Sequence, residues 1–154
     1  MDSVKVERLG ATEGGGQGWF VYTVEVDTEA DFTINDQILD SEICRMSMIM
    51  LKYGDLYAEL NAMLARKEEE LKYLRARVSG AVRSEAEATG KKTTEGKLTE
   101  EVAANELVQQ GMFTMHQVRM DKLKTENWWA TAKKKADLLT ALAYRQTAEI
   151  KRNY

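Results

Sequence analysis

The residue types able to do chemistry are few in this chain, and they do not cluster. One histidine, His116, and one cysteine, Cys44, stand apart, and no Gly-x-Gly-x-x-Gly, phosphate-loop or His-Glu-x-x-His pattern occurs. Gly14-Gly15-Gly16 lacks the Lys-Ser/Thr that a phosphate loop needs, so it reads as a flexible connection. His116 lies within Met112-Phe113-Thr114-Met115-His116-Gln117-Val118-Arg119-Met120, where soft sulfurs beside an imidazole suit copper. With no second strong ligand, those methionines read instead as filler of a helix interface. Cys44 reads as a small buried residue rather than an activated thiol. Catalytic residues, a metal site and a cofactor are therefore not expected.

The cations are more informative. Lys72, Arg75, Arg77 and Arg83 gather toward the end of a helical stretch, and Lys91, Lys92 and Lys97 follow in a polar segment. Positive charge at a helix carboxyl end favours the dipole on its own account. Seven cations at one end of a hairpin, multiplied by symmetry into a rim, would also attract a polyanion by counterion release. Lys133-Lys134-Lys135 with Arg145, Lys151 and Arg152 form a second group that reads as a solvated face. The formal charge of −3 conceals an asymmetry: residues 1–44 hold ten carboxylates against Lys5 and Arg8, and the other 110 residues hold twenty cations against fifteen carboxylates.

The adjacent indoles of Trp128 and Trp129 point about 100° apart on a helix, so they cannot enter one narrow seam. Trp129 shares its side with Ala132, Ala136 and Leu139. Trp128 is left at a boundary, as a subunit contact or, less economically, a platform for a base. Tyr53 and Tyr57, with both tryptophans, are the expected oligomer interface.

The elements that must carry these groups are mainly helical. A chain of 154 residues, 44% hydrophobic and 31% charged, without proline, is one domain rich in helix formers. Ile43, Met46, Met50, Tyr53, Tyr57, Leu60, Leu64, Lys67, Leu71, Leu74 and Val78 recur at steps of three and four. They predict a helix of about five heptads, capped by Asp40 or Ser41, with the Lys67 stem lying along its seam. Residues 79–97, with three glycines, predict a polar turn. A second helical region runs from Leu98 or Thr99 to about Arg152, with Gly111 and Thr125-Glu126-Asn127 as places to bend or divide. A strict heptad continued from Leu98 and Val102 buries Asn105, Gln109, His116 and Arg119 as polar layers.

The predicted fold is thus all-α in the main: a long antiparallel helical hairpin over residues 35–154, with heptad packing, assembling into a homo-oligomer. Residues 1–34 form a short, acidic, β-prone leader. Its run Trp19-Phe20-Val21-Tyr22-Thr23-Val24-Glu25-Val26 alternates as a strand does. A lone strand needs a partner, and Val4-Lys5-Val6 across the glycines, another copy of the chain, or no fixed partner at all remain open. No stretch reaches the roughly 18 apolar residues of a membrane span, and Met-Asp-Ser-Val-Lys-Val-Glu-Arg-Leu-Gly is unlike a secretory signal. An intracellular location is expected.

The leader ending Ile38-Leu39-Asp40-Ser41-Glu42, the stretch Tyr53-Gly54-Asp55-Leu56-Tyr57-Ala58-Glu59-Leu60, and the helix ending Leu71-Lys72-Tyr73-Leu74-Arg75-Ala76-Arg77-Val78-Ser79-Gly80 carry a resemblance. With the start of the next helix at Lys97-Leu98 and the closing stretch Ala132 to Lys151, this pattern resembles the UvsY-type recombination mediators of tailed phages over residues 36–152. The resemblance implies a helical homo-oligomeric ring that binds single-stranded DNA. It also implies a role in helping to load a phage recombinase where single-strand-binding protein covers the DNA. The family's basic pair before a Ser-Gly maps onto Arg75 and Arg77 as phosphate contacts. Lys72, Arg83, Lys91 and Lys92 join them by charge alone. The alternative is a coiled-coil structural or adaptor protein of a phage particle, with no DNA affinity.

Overall fold

The computed structural model describes residues 2–152. Two strands, β1 (Asp2–Ala11) and β2 (Gln17–Val26), are followed by α1 (Thr28–Phe32), a 3-10 turn at Asp36–Ile38, α2 (Leu39–Ala88), α3 (Glu95–Ala104) and α4 (Glu106–Arg152). The fold is all-α in the main, with α2 and α4 packed against each other beside a small amino-terminal sheet. The chain divides into two compact units, Met1–Leu60 with Asp121–Tyr154, and Asn61–Met120.

The leader is an ordered antiparallel hairpin in which Val4 faces Val24, Val6 faces Tyr22 and Gly10 faces Gly18. Of the three arrangements open to the sequence, the pairing of Val4-Lys5-Val6 across the glycines is the one formed. Thr12 N–H donates to the Gly16 carbonyl at 2.8 Å and Gly15 N–H to the Thr12 carbonyl at 2.9 Å. Gly15 takes φ +77°, a value that favours glycine at the bulge closing a three-residue hairpin loop. The glycines thus make a defined turn, not a flexible connection.

Nor does the leader stand apart from the helices at residue 34. Val4, Val6 and Val26 are fully buried. Val4 and Val6 pack with Leu56 and Leu60, while Val26 joins Leu39, Met46, Ile49, Tyr53, Ala132 and Leu139. A two-stranded sheet has too little surface to bury a face against itself, so it uses the helices.

That covering also explains a shift in the α2 seam. In residues 39–60 the buried positions are Leu39, Glu42, Met46, Ile49, Tyr53, Leu56 and Leu60, with Ile43, Met50 and Tyr57 half-buried beside them. Here the helix has neighbours on two sides, and its apolar stripe is wider than one heptad seam. In residues 61–120, Met63, Leu64 and Val118 form a buried cluster with Met115, and Leu71 Cδ1 lies 3.1 Å from where a Cβ on Gly111 would stand. Gly111 is therefore a site of close helix approach, not a bend. Lys67 lies along the seam as expected, and its Nζ reaches Glu70 at 3.0 Å.

The helix boundaries differ from the sequence expectation at four places. α2 begins at Leu39, so Asp40 and Ser41 fall inside its first turn, where Asp40 and Glu42 suit the dipole. It runs through Gly80, a single poor helix former followed by the Ala- and Glu-rich residues 81–88, and ends at Ala88, two residues before Gly90. Gly90 takes φ +68°, and Lys91 N–H donates to the Ala86 carbonyl at 2.9 Å, the six-to-one closure of a helix end. The turn is thus residues 89–94 rather than 79–97. The second helical region divides at Asn105, not at Gly111 or 125–127. The Asn105 side chain accepts from Leu107 N–H at 3.1 Å and Val108 N–H at 3.4 Å, so it caps α4.

With that cap as origin, Val108, Gly111, Met115, Val118, Thr125, Ala132 and Leu139 line the buried side of α4. Gln109, His116 and Arg119 are exposed, so the expected polar layers do not form. The heptad starts afresh at the cap and does not continue from Leu98.

Around α1 the polar groups are tied down. Arg45 donates to the Ala30 carbonyl at 3.1 Å, to the Thr33 carbonyl and to Glu42 at 2.7 Å. Lys135 donates to the Phe32 carbonyl. Two cations thereby satisfy the carbonyls left over at the end of a five-residue helix. Tyr53 O–H donates to Asp31 Oδ2 at 2.6 Å, and Lys52 Nζ to the same oxygen at 2.7 Å. Burial alone would raise the Asp31 pKa, but the bonds from Lys52 and Tyr53 outweigh it and hold the carboxyl below its ordinary range. The bond from Arg45 likewise lowers Glu42, and burial beside Asp31 pushes the Tyr53 phenol up.

A carboxyl whose folded pKa is lowered adds stability above its unfolded value near pH 4, and that contribution is lost as pH falls through the folded value. Urea midpoints should therefore drop on acidification below about pH 4, and less so in Asp31→Asn. Tyr53→Phe should cost about 1–2 kcal/mol in urea unfolding at neutral pH, because a buried bond is removed and an acceptor loses a donor.

Candidate nucleic-acid interface

α2 continues through residues 79–88, and this sets the direction of every cation on it. Lys72, Arg75, Ser79 and Arg83 follow at steps of three and four and share one face, while Arg77, two residues from Arg75, is turned about 200° away. All four cations are exposed. The pair Arg75 and Arg77, taken from the family pattern, thus cannot grip one phosphate track from a single helix face. Lys72, Arg75 and Arg83 can.

Arg75, Ser79 and Arg83 line a groove of about 520 Å³ whose opposite wall is α3 with Glu95, Leu98 and Thr99. Val102, Ala103 and Met112 add apolar side chains to its lining. Thr94 caps α3 by accepting from Lys97 N–H at 3.4 Å, which brings Glu95 to the groove mouth. There its carboxylate accepts from Arg83 at 3.0 Å, with both side chains largely in solvent. Lys91 and Lys92 lie exposed in the turn. Lys91 shares a concavity with Glu85 and Glu101.

The electrostatic balance differs from the reading by residue type. Residues 61–120 hold ten Lys and Arg against nine carboxylates, so this unit is nearly neutral, whereas residues 121–154 hold eight against four. Several cations of that last stretch are engaged: Lys133 Nζ lies 3.5 Å from the Trp129 ring centroid, Lys122 lies over Tyr57, and Arg145 meets Glu149 at 3.1 Å. The sequence signal for this was available in the carboxylates Glu85, Glu87, Glu95, Glu100 and Glu101, interleaved with the cations around the turn.

The four aromatic residues expected at an oligomer interface all make contacts within the chain. Tyr53 is fully buried, stacked on Phe32 at 5.6 Å and tilted against Trp128 at 5.8 Å. Its burial rules it out as a subunit contact. Trp129 stacks on Tyr57 at 5.5 Å and is half-buried. Trp128, also half-buried, packs against both the Tyr53 core and the cluster of Val4, Val6, Leu56 and Leu60. Two indoles 100° apart are both partly covered because the helix meets α2 at Tyr53 and Tyr57 and the strand pair at Trp128.

Cys44 is exposed rather than buried, since it lies in the second turn of α2 on its outward side. His116 is exposed, and no group of three His, Cys, Asp or Glu among the described residues is placed to hold a metal ion. No helix among them is long and apolar enough to cross a membrane.

Glu95→Gln removes one exposed ion pair and should leave unfolding free energy within about 0.5 kcal/mol of the parent. It frees Arg83, so the variant should elute from a heparin column at higher salt; unchanged elution would show that the groove face does not meet polyanions. No protein-family model, curated protein or solved structure matches this chain.

Proposed function

We propose that this protein is a non-catalytic mediator of DNA recombination of the UvsY type. In this reading it binds single-stranded DNA as a homo-oligomer and helps load a recombinase onto DNA covered by single-strand-binding protein. The observation that carries the reading is the exposed stripe of Lys72, Arg75 and Arg83 on one face of α2, of which Arg75 and Arg83 line a groove shared with Leu98, Val102 and Met112. Three cations at helical spacing suit a phosphate backbone without reading sequence, and the aliphatic lining of the groove offers apolar contact to unpaired bases. The resemblance over residues 36–152 supports the same class.

A second reading, a structural or adaptor protein of a phage particle with no DNA affinity, is favoured by one observation. The unit of residues 61–120 carries nearly equal numbers of cations and carboxylates, and Glu95 already occupies Arg83. Fluorescence anisotropy of a labelled single strand, against a duplex of equal length and across a salt series, separates the two. The mediator reading expects preference for the single strand. It also expects the slope of log affinity against log salt to fall by about 1.4 in Arg75→Ala/Arg83→Ala, at about 0.7 per single-strand phosphate contact. Arg77→Ala, on the far side of the helix, should leave the slope unchanged. Absence of binding at low salt selects the adaptor.

A further inference from the structure

The sheet has two strands and therefore two edges, and these edges are not alike. The bond from Thr12 N–H to Gly16 sets the alternation of the ladder. Pairs at every second position from it, Arg8 with Phe20 and Val6 with Tyr22, exchange bonds within the hairpin, and the pairs between them turn their backbone groups outward. On the β1 side, α4 meets the outward edge at Lys5, and α2 holds the strand by the Arg8 side chain. Lys5 N–H donates to Asp121 Oδ2 at 3.4 Å, and the Arg8 side chain is held by Glu59 at 2.9 Å.

On the β2 side, Val21 and Thr23 turn their backbone groups away from β1, and both residues are exposed. From Gly14 to Val24 the sequence holds no charge and no proline, the devices by which sheet edges are ordinarily protected. The side chains there are apolar and accessible: Val21 is 62% exposed, Tyr22 45% and Phe20 39%. They are also fixed in place. The Phe20 ring lies over Gly10, where an added Cβ would stand 2.8 Å from it, so the glycine is what lets the aromatic lie flat on the strand pair.

We infer that the β2 edge is a self-recognition surface, on which two copies of this chain join β2 to β2 in antiparallel fashion about a two-fold axis at Val21. Charge decides the occupant. Residues 8–24 hold only Arg8 and Glu13, so this patch is neutral and two copies approach it without repulsion. A register centred on Val21 sets Phe20 of one copy across from Tyr22 of the other, a favourable aromatic pair. It sets Glu25 across from Gln17 and keeps the two Glu25 carboxylates apart. The result is a continuous four-stranded sheet whose outer edges are the β1 strands, each met by α4 at Lys5. The inference is independent of any role in recombination.

Sedimentation equilibrium of the full chain tests it, with circular dichroism to follow folding. Val21→Pro removes an outward-facing N–H and spares the ladder to β1, and Val21→Lys places a charge on the open edge with no backbone change. Wild-type protein should have an even multiple of 17.5 kDa, and each variant half that mass with an unchanged helical spectrum. A wild type that remains at 17.5 kDa, or a mass that Val21→Lys leaves unaltered, overturns the inference.

Discussion

The structure of the first unit turns on the position of Tyr53. Its ring is enclosed by Phe32 of α1, Trp128 of α4 and the core around Val26, and its hydroxyl reaches back to Asp31. Strand, short helix and both long helices are thereby fixed by one side chain. A phenol suits this place because its body is apolar and its tip needs an acceptor. Asp31 supplies that acceptor while also taking Lys52, and its charge is retained despite partial burial because two donors face it. Arg45 and Lys135 complete the arrangement by holding the α1 carbonyls, so a five-residue helix too short to persist in isolation keeps one orientation.

The long helices solve a different problem in each unit. Where α2 runs beside both α4 and the hairpin, two adjacent stripes of its surface are buried and bulky side chains fill them. In residues 61–120 the buried stripe narrows and small residues matter: Gly111 admits Leu71. Across the chain, fully buried positions of α4 include Val108, Thr125, Ala132 and Leu139, alternating small and branched side chains against the large ones of α2. Thr125 is compatible with burial because its hydroxyl donates to the Asp121 carbonyl at 2.9 Å within its own helix.

Charge is distributed according to what it holds together. The cations nearest the cores act as local fasteners, as Lys133 does over Trp129 and Arg8 does on Glu59. Those on the Lys72–Arg83 face of α2 hold few neighbours, apart from the exposed Arg83–Glu95 pair. An exposed pair contributes little to stability because water screens it and ordering its side chains costs entropy. The charge on that face therefore contributes little to the fold.

Much of the helical architecture was legible in the sequence, because a heptad is a local pattern and burial of its stripe follows from spacing alone. The α2 stripe from Ile43 to Val78 and the strand alternation of Phe20, Tyr22, Val24 and Val26 are of this kind. Helix ends were less legible. Gly80 and Gly90 are the same residue type, and only the closing bonds at Ala86 and Glu87 show which one stops the helix. Asn105 reads as a polar layer until its side chain is seen to accept from Leu107 and Val108. The fate of Tyr53 and Trp128 was decided by tertiary structure alone, since the strand pair that covers them comes from residues far away in the chain. The same holds for the candidate site: spacing locates Lys72, Arg75 and Arg83, but only the unbroken course of α2 turns Arg77 away from them. Only the packing of α3 brings Glu95 to Arg83. Sequence determined which residues are apolar and at what period; the tertiary structure decided which faces meet, because that depends on contacts between segments that no local pattern encodes.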